Sequence, residues 1–108
     1  MSAANSTLAN PERGEAALTV AGESLTLRPS FGALVAAEGE LGSLFALVER
    51  AASGELTLGE MAALFWHCVI DPPPGLTREV LGEAVVVAGL AAAAPVLRTI
   101  VRQILAGR

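Results

Sequence analysis

Four hydroxyl residues, Ser30, Ser43, Thr57 and Thr77, each stand immediately before an apolar run with helical spacing, and this punctuation constrains the fold more than any other feature. A serine or threonine at a helix N-cap accepts a hydrogen bond from a first-turn N–H that would otherwise lack a partner. Ser30 precedes Phe31, Leu34, Val35, Glu38 and Leu41, a stripe that is apolar except for Glu38 and is expected to face inward. Ser43 precedes Leu44, Leu47, Val48 and Ala51, and Gly54 stands where a helix C-terminal glycine belongs. Thr57 with Glu60 matches the capping-box pattern and opens a third helix with the stripe Met61, Leu64, Phe65, Cys68 and Val69. The run Asp71-Pro72-Pro73-Pro74-Gly75 stops that helix, because prolines offer no donor and push the chain to extended geometry. Thr77 opens a fourth helix through Val80, Leu81, Ala84, Val85 and Ala88. Pro95 then interrupts the pattern, and Val96-Leu97, Ile100-Val101 and Ile104-Leu105 continue it as a strongly amphipathic last helix. Residues 78–106 read as one kinked helix or as two; proline in the first turn of a new helix favours two.

Ahead of these helices, Glu15–Val20 and Ser24–Arg28 are short runs with partial alternation, separated by a glycine turn at Ala21-Gly22-Glu23. They predict a β-hairpin with Leu18, Val20, Leu25 and Leu27 on one side. A lone hairpin is marginal in water, so it must lie on the helices. The predicted fold is therefore mainly α with a small N-terminal β-hairpin (α+β), four to five short helices packing with the hairpin. At 108 residues the chain holds one domain, residues 14–108, behind a flexible segment at 1–13. Apolar residues make up 53% of it, too many for a disordered segment. Much of that fraction is alanine, and only Phe31, Phe45, Phe65 and Trp66 are aromatic, so the core is thin and its apolar surplus is a first hint of a partner. Gly32 and Gly39, and again Gly82 and Gly89, lie seven apart within predicted helices, which places each pair on one face and allows close backbone contact.

Chemistry is excluded more readily than it is found. A net charge of −4 argues against nucleic acid, which needs a basic stripe to neutralise phosphates. Charge is uneven, with −5 over residues 1–60 and +1 over residues 61–108, where Arg98, Arg102 and Arg108 sit near the end of the last helix. A lone cysteine makes no internal disulfide, and one histidine with one cysteine makes no zinc site. Cys68 falls on an apolar stripe and reads as an inert thiol; His67, one residue away on a helix, points elsewhere. The glutamates at 38, 40, 49, 55 and 60 scatter over polar faces. No phosphate loop is present in a chain without lysine. The longest uncharged apolar stretch, Ala84–Leu97, is too short to span a bilayer, and Met1–Leu8 has neither the basic start nor the apolar segment of a signal peptide. The expectation is a cytoplasmic protein-binding chain with no cofactor and no enzymatic activity.

The order of several motifs adds a resemblance. Arg13-Gly14-Glu15 leads into the hairpin, followed by Leu27-Arg28-Pro29-Ser30-Phe31-Gly32-Ala33-Leu34 and by Glu38-Gly39-Glu40-Leu41-Gly42. Leu47, Arg50 and Gly54, the Thr57 cap, Leu76-Thr77 and Ala88-Gly89-Leu90 with Pro95 then come in register. Over about residues 10–106 this order resembles the gene-transfer-agent and phage tail assembly chaperone family, some of whose members are labelled tail tube proteins. The resemblance implies a role in tail morphogenesis of a gene transfer agent or prophage. The implied partners are the tape-measure protein, the tail tube protein, or both, with no catalytic residues. Two alternatives stay open: a structural tube-associated component of the particle, and a small interaction adaptor unrelated to phages. Nucleic acid and membrane are not expected partners, and self-association is left open.

Two residue sets are candidates for the partner surface. The first is the last-helix stripe Val96, Leu97, Ile100, Val101, Ile104 and Leu105, which equally suits the core. The second is Trp66, one residue off the stripe of its helix, since aromatic anchors are favoured at interfaces.

Overall fold

A computed structural model describes residues 15–20 and 22–107; the segment expected to be flexible, 1–13, lies outside the described residues. Two strands come first, β1 (Ala16–Val20) and β2 (Glu23–Leu27), joined through Gly22 at φ +82°. Their antiparallel register pairs Leu18 with Leu25 and Ala16 with Leu27. Ala16, Leu18, Val20, Leu25 and Leu27 are buried on one face, as the alternation predicts. One residue beyond the ladder, Arg28 donates to Glu15 at 2.6 Å, and the Glu15 carboxylate is enclosed. The pair staples the open end of the hairpin.

Five helices follow: α1 (Phe31–Leu41), α2 (Leu44–Ala52), α3 (Leu58–Cys68), α4 (Arg78–Ala88) and α5 (Leu90–Ala106). The four expected caps are all made. Ser30, Ser43, Thr57 and Thr77 accept from the N–H groups of Ala33, Ala46, Glu60 and Val80 at 3.1–3.4 Å. Glu60 returns the bond to the Thr57 N–H, completing the capping box. Glu38 receives the Leu44 N–H at 3.1 Å, which fastens the start of α2 to the end of α1.

α3 is the central helix. Met61, Ala62, Ala63, Leu64, Phe65 and Cys68 are all buried, because α3 is covered by α1 and α4. Leu47, Leu81, Val85, Ala93 and Ile100 close the core around it, while α5 and α4 lie against β1. Each large apolar side chain taken fully out of water contributes about 1.5–3 kcal/mol before chain entropy is counted.

Four details differ from the sequence reading. First, α3 ends at Cys68, and Val69–Ile70 form a third strand, β3, antiparallel to β2 with Leu27 opposite Val69. The Arg28 N–H donates to the Cys68 carbonyl at 2.8 Å. β-branched residues next to an open sheet edge favour pairing over another helical turn, and the chain then turns at Asp71, φ +49°. Second, α1 is rolled by about a quarter turn from its expected face. Ala37 is fully buried with Ala33 and Leu41 beside it, whereas Phe31 and Val35 are exposed. Small residues let α1 approach α3 closely, and that gain outweighs burying the two larger side chains.

Third, the break in 78–106 falls at Gly89 and not at Pro95. The axes of α4 and α5 differ by 118°, Gly89 has φ +94° and ψ +149°, and Pro95 sits inside α5. Only glycine adopts that backbone readily, so it makes a sharper corner than proline. Pro95 is exposed, and Thr99 Oγ1 donates to its carbonyl at 3.0 Å. Fourth, the glycine pairs mark no close approach. A side chain at Gly32, Gly39, Gly82 or Gly89 would meet nothing within 4 Å.

Candidate protein-binding surface

The last-helix stripe is divided by the fold between core and surface. Ile100 is fully enclosed, and Val96 and Ile104 are half-buried against the core. Trp66 is likewise half-buried against the core. Leu97, Val101 and Leu105, spaced four apart, line an open groove of about 470 Å³ between α5 and the C-terminal end of α2, where Ala51 and Ala52 form the facing wall. Leu105 remains 65% exposed there. A second hollow of about 270 Å³ shares Ala51 and Leu97 and extends the apolar strip past Leu56, Leu58 and Met61 to Leu90. Alanines on α2 give the groove its depth; larger residues at 51 and 52 would fill it.

Arg98 and Arg102 stand on the groove rim, one helical turn apart. Among the described residues they are the arginines without an ion pair. Arg28 is held by Glu15, Arg50 by Glu60 and Arg78 by Glu40. The positive charge left free is thus concentrated beside the apolar strip.

A second exposed apolar region was missed in the sequence, where Phe31 and Val35 were placed on the α1 stripe and Phe45 was assigned to no face. Phe31 is 84% exposed in the first turn of α1, with Val35 one turn later on the same face, and Phe45 is 83% exposed in the first turn of α2. Two of the four aromatic side chains therefore stand in solvent. The available signal was α1 itself: it is apolar on nearly every side, so periodicity could not choose between an alanine face and a phenylalanine face.

Titratable groups here serve architecture. Glu40 bridges three helices, accepting from Arg78 on α4 and bonding His67 Nε2 on α3 at 2.8 Å. The Arg78 guanidinium, and then His67, hold its carboxyl below the ordinary value. The Thr57 N–H and hydroxyl, and then the Arg50 guanidinium, hold the Glu60 carboxyl below its ordinary value in the same way. Burial alone pushes the Cys68 thiol up to about 12, which keeps it protonated and unreactive. Among the described residues no group of histidine, cysteine and carboxylates is placed to hold a metal ion. No single helix among them is long and apolar enough to cross a membrane.

The described surface therefore carries two exposed apolar regions, one on α1 and α2 and one between α2 and α5. No curated protein matches it, and no solved structure does. A family model described as phage tail tube protein, GTA-gp10, matches residues 13–107. That match spans nearly the whole chain and agrees with the motif order read above, so the chain belongs to this gene-transfer-agent and phage tail protein family.

Proposed function

We propose that this chain is a tail assembly chaperone, which in the host cytoplasm holds an apolar segment of the tape-measure protein soluble until tube subunits enclose it, and that it performs no catalysis. The observation that carries this reading is the exposure of Phe31 and Phe45 on successive helices of a chain with only four aromatic residues. A small domain with a thin core gains from burying such groups, and about 1.5–3 kcal/mol per phenylalanine is forgone while they face water. Burial against a client regains it, and aromatic side chains are frequent anchors of such contacts. Val35 widens the α1 side of this surface. Family membership supplies the class of partner, another tail protein.

The test is co-expression with the tape-measure protein of the same particle. Soluble, co-eluting complex is expected with the natural chain, and loss of client from the soluble fraction with Phe31→Ser/Phe45→Ser, whose helicity should be unchanged. A client equally soluble with the double variant would refute the phenylalanine surface. A client insoluble in both cases, with this chain instead joining tail tube subunits, would favour a structural component of the particle.

A further inference from the structure

Two unpartnered faces of this molecule are complementary to each other. On α5, Arg98 and Arg102 border the apolar strip of Leu97, Val101 and Leu105. On α4, Glu79 and Glu83 lie on the outward face beside Val80, Val86 and Val87, all exposed, with Val87 at 84%. Both charge pairs have i, i+4 spacing, about 6 Å along the helix axis, so two carboxylates can meet two guanidiniums in one docking register. Neither pair is engaged within its own chain: no ion pair of Glu79, Glu83, Arg98 or Arg102 occurs among the described residues.

We propose that the groove between α2 and α5 receives α4 of a second copy of this chain, with Glu79 and Glu83 facing Arg98 and Arg102 and the valines seated on Leu97, Val101 and Leu105. A second copy is favoured over an unrelated partner because both halves of the match, a charge pair at i, i+4 spacing beside exposed apolar side chains, are present on this one chain. The two faces belong to different helices that diverge by 118°. The contact is therefore between unlike patches, which generates chains or rings of copies unless two molecules exchange α4 reciprocally. Docking covers an apolar strip that solvent would otherwise meet, and its charged rim makes the association weaken with salt. This inference does not rest on the chaperone reading, since Phe31 and Phe45 take no part in it.

The experiment uses the natural chain and three preparations compared by sedimentation equilibrium at low and high salt: Arg98→Glu/Arg102→Glu, Glu79→Arg/Glu83→Arg, and an equal mixture of these two. All four positions are exposed, and circular dichroism should show unchanged helicity. The natural chain should self-associate, and each double variant alone should associate at least about tenfold more weakly. The mixture should recover the natural mass, because each reversed face then meets an opposite one. A natural chain that remains monomeric at every concentration overturns the proposal, as does association untouched by either reversal. Failure of the mixture to recover mass also overturns it. Phe31→Ser/Phe45→Ser should leave self-association unchanged, which separates this result from any failure of client binding.

Discussion

Gly82 and Gly89 lie seven residues apart, and the same substitution should move stability in opposite directions at the two. Gly82 is inside α4, and a Cβ there would meet nothing within 4 Å. Alanine at 82 removes backbone freedom from the unfolded chain and adds no clash, so the folded state should gain about 0.4–1 kcal/mol. Gly89 also has open space around it, but its φ of +94° with ψ of +149° belongs to a region that only glycine enters freely. A Cβ at 89 introduces about 1–3 kcal/mol of backbone strain. The two variants should therefore differ by roughly 1.5–4 kcal/mol. For a domain of this size each kcal/mol is about 4–8 °C in Tm. Urea titration followed by far-ultraviolet circular dichroism reads both, with Gly39→Ala in α1 as a second stabilising control. If Gly89→Ala is as stable as the natural chain, the corner is not at Gly89 and the division between α4 and α5 is misplaced.

Two further outcomes follow from the core and the charge network. Ile100→Ala should cost about 2–5 kcal/mol, because Ile100 is fully enclosed, while Leu105→Ala on the same helix should stay within about 0.5 kcal/mol; equal effects would mean that the α5 stripe is not divided between core and groove. The carboxyl of Glu40 titrates below its ordinary range in the folded chain, so its contribution is present above the unfolded-state value of about 4.3 and is lost as pH falls through the lower folded value. Glu40→Gln should accordingly lower stability at neutral pH and flatten the acid limb of the pH–stability curve, and an unchanged acid limb would show that the Arg78 and His67 bridge contributes nothing.

Local rules were read correctly wherever a single residue type does a single job. Ser30, Ser43, Thr57 and Thr77 are caps because a hydroxyl before an apolar run has one favourable use. The inward side of the hairpin followed from period-two alternation. The failures have separate causes. In α1 an alanine face and a phenylalanine face are both compatible with helical spacing, and the choice is made by how closely α1 can approach α3. At 78–106 a proline and a glycine both offered a break, and the corner went to the residue that tolerates positive φ. β3 was illegible because two residues carry no periodicity; only the free edge of β2 defines them as a strand.

The site was legible in the same partial way. The last helix was singled out for its dense apolar stripe, but sequence alone could not divide that stripe between core and groove. Leu97, Val101 and Leu105 line the groove because α2 is short and ends in alanines, a tertiary fact. Ile100 is enclosed because it lies on the adjoining face of α5, which packs toward the sheet. Phe31 was hidden by its place on the expected stripe of α1, and Phe45, off the stripe of α2, was not singled out.

The central claim is that the chain assists tail assembly without remaining in the product. Quantitative mass spectrometry of assembling cells and of purified particles tests it most directly. The account predicts that the chain co-purifies with the tape-measure protein from assembling cells and is absent from finished particles. Its presence there in many copies, at a fixed ratio to the tube subunits, would contradict the account and make it a component of the tail.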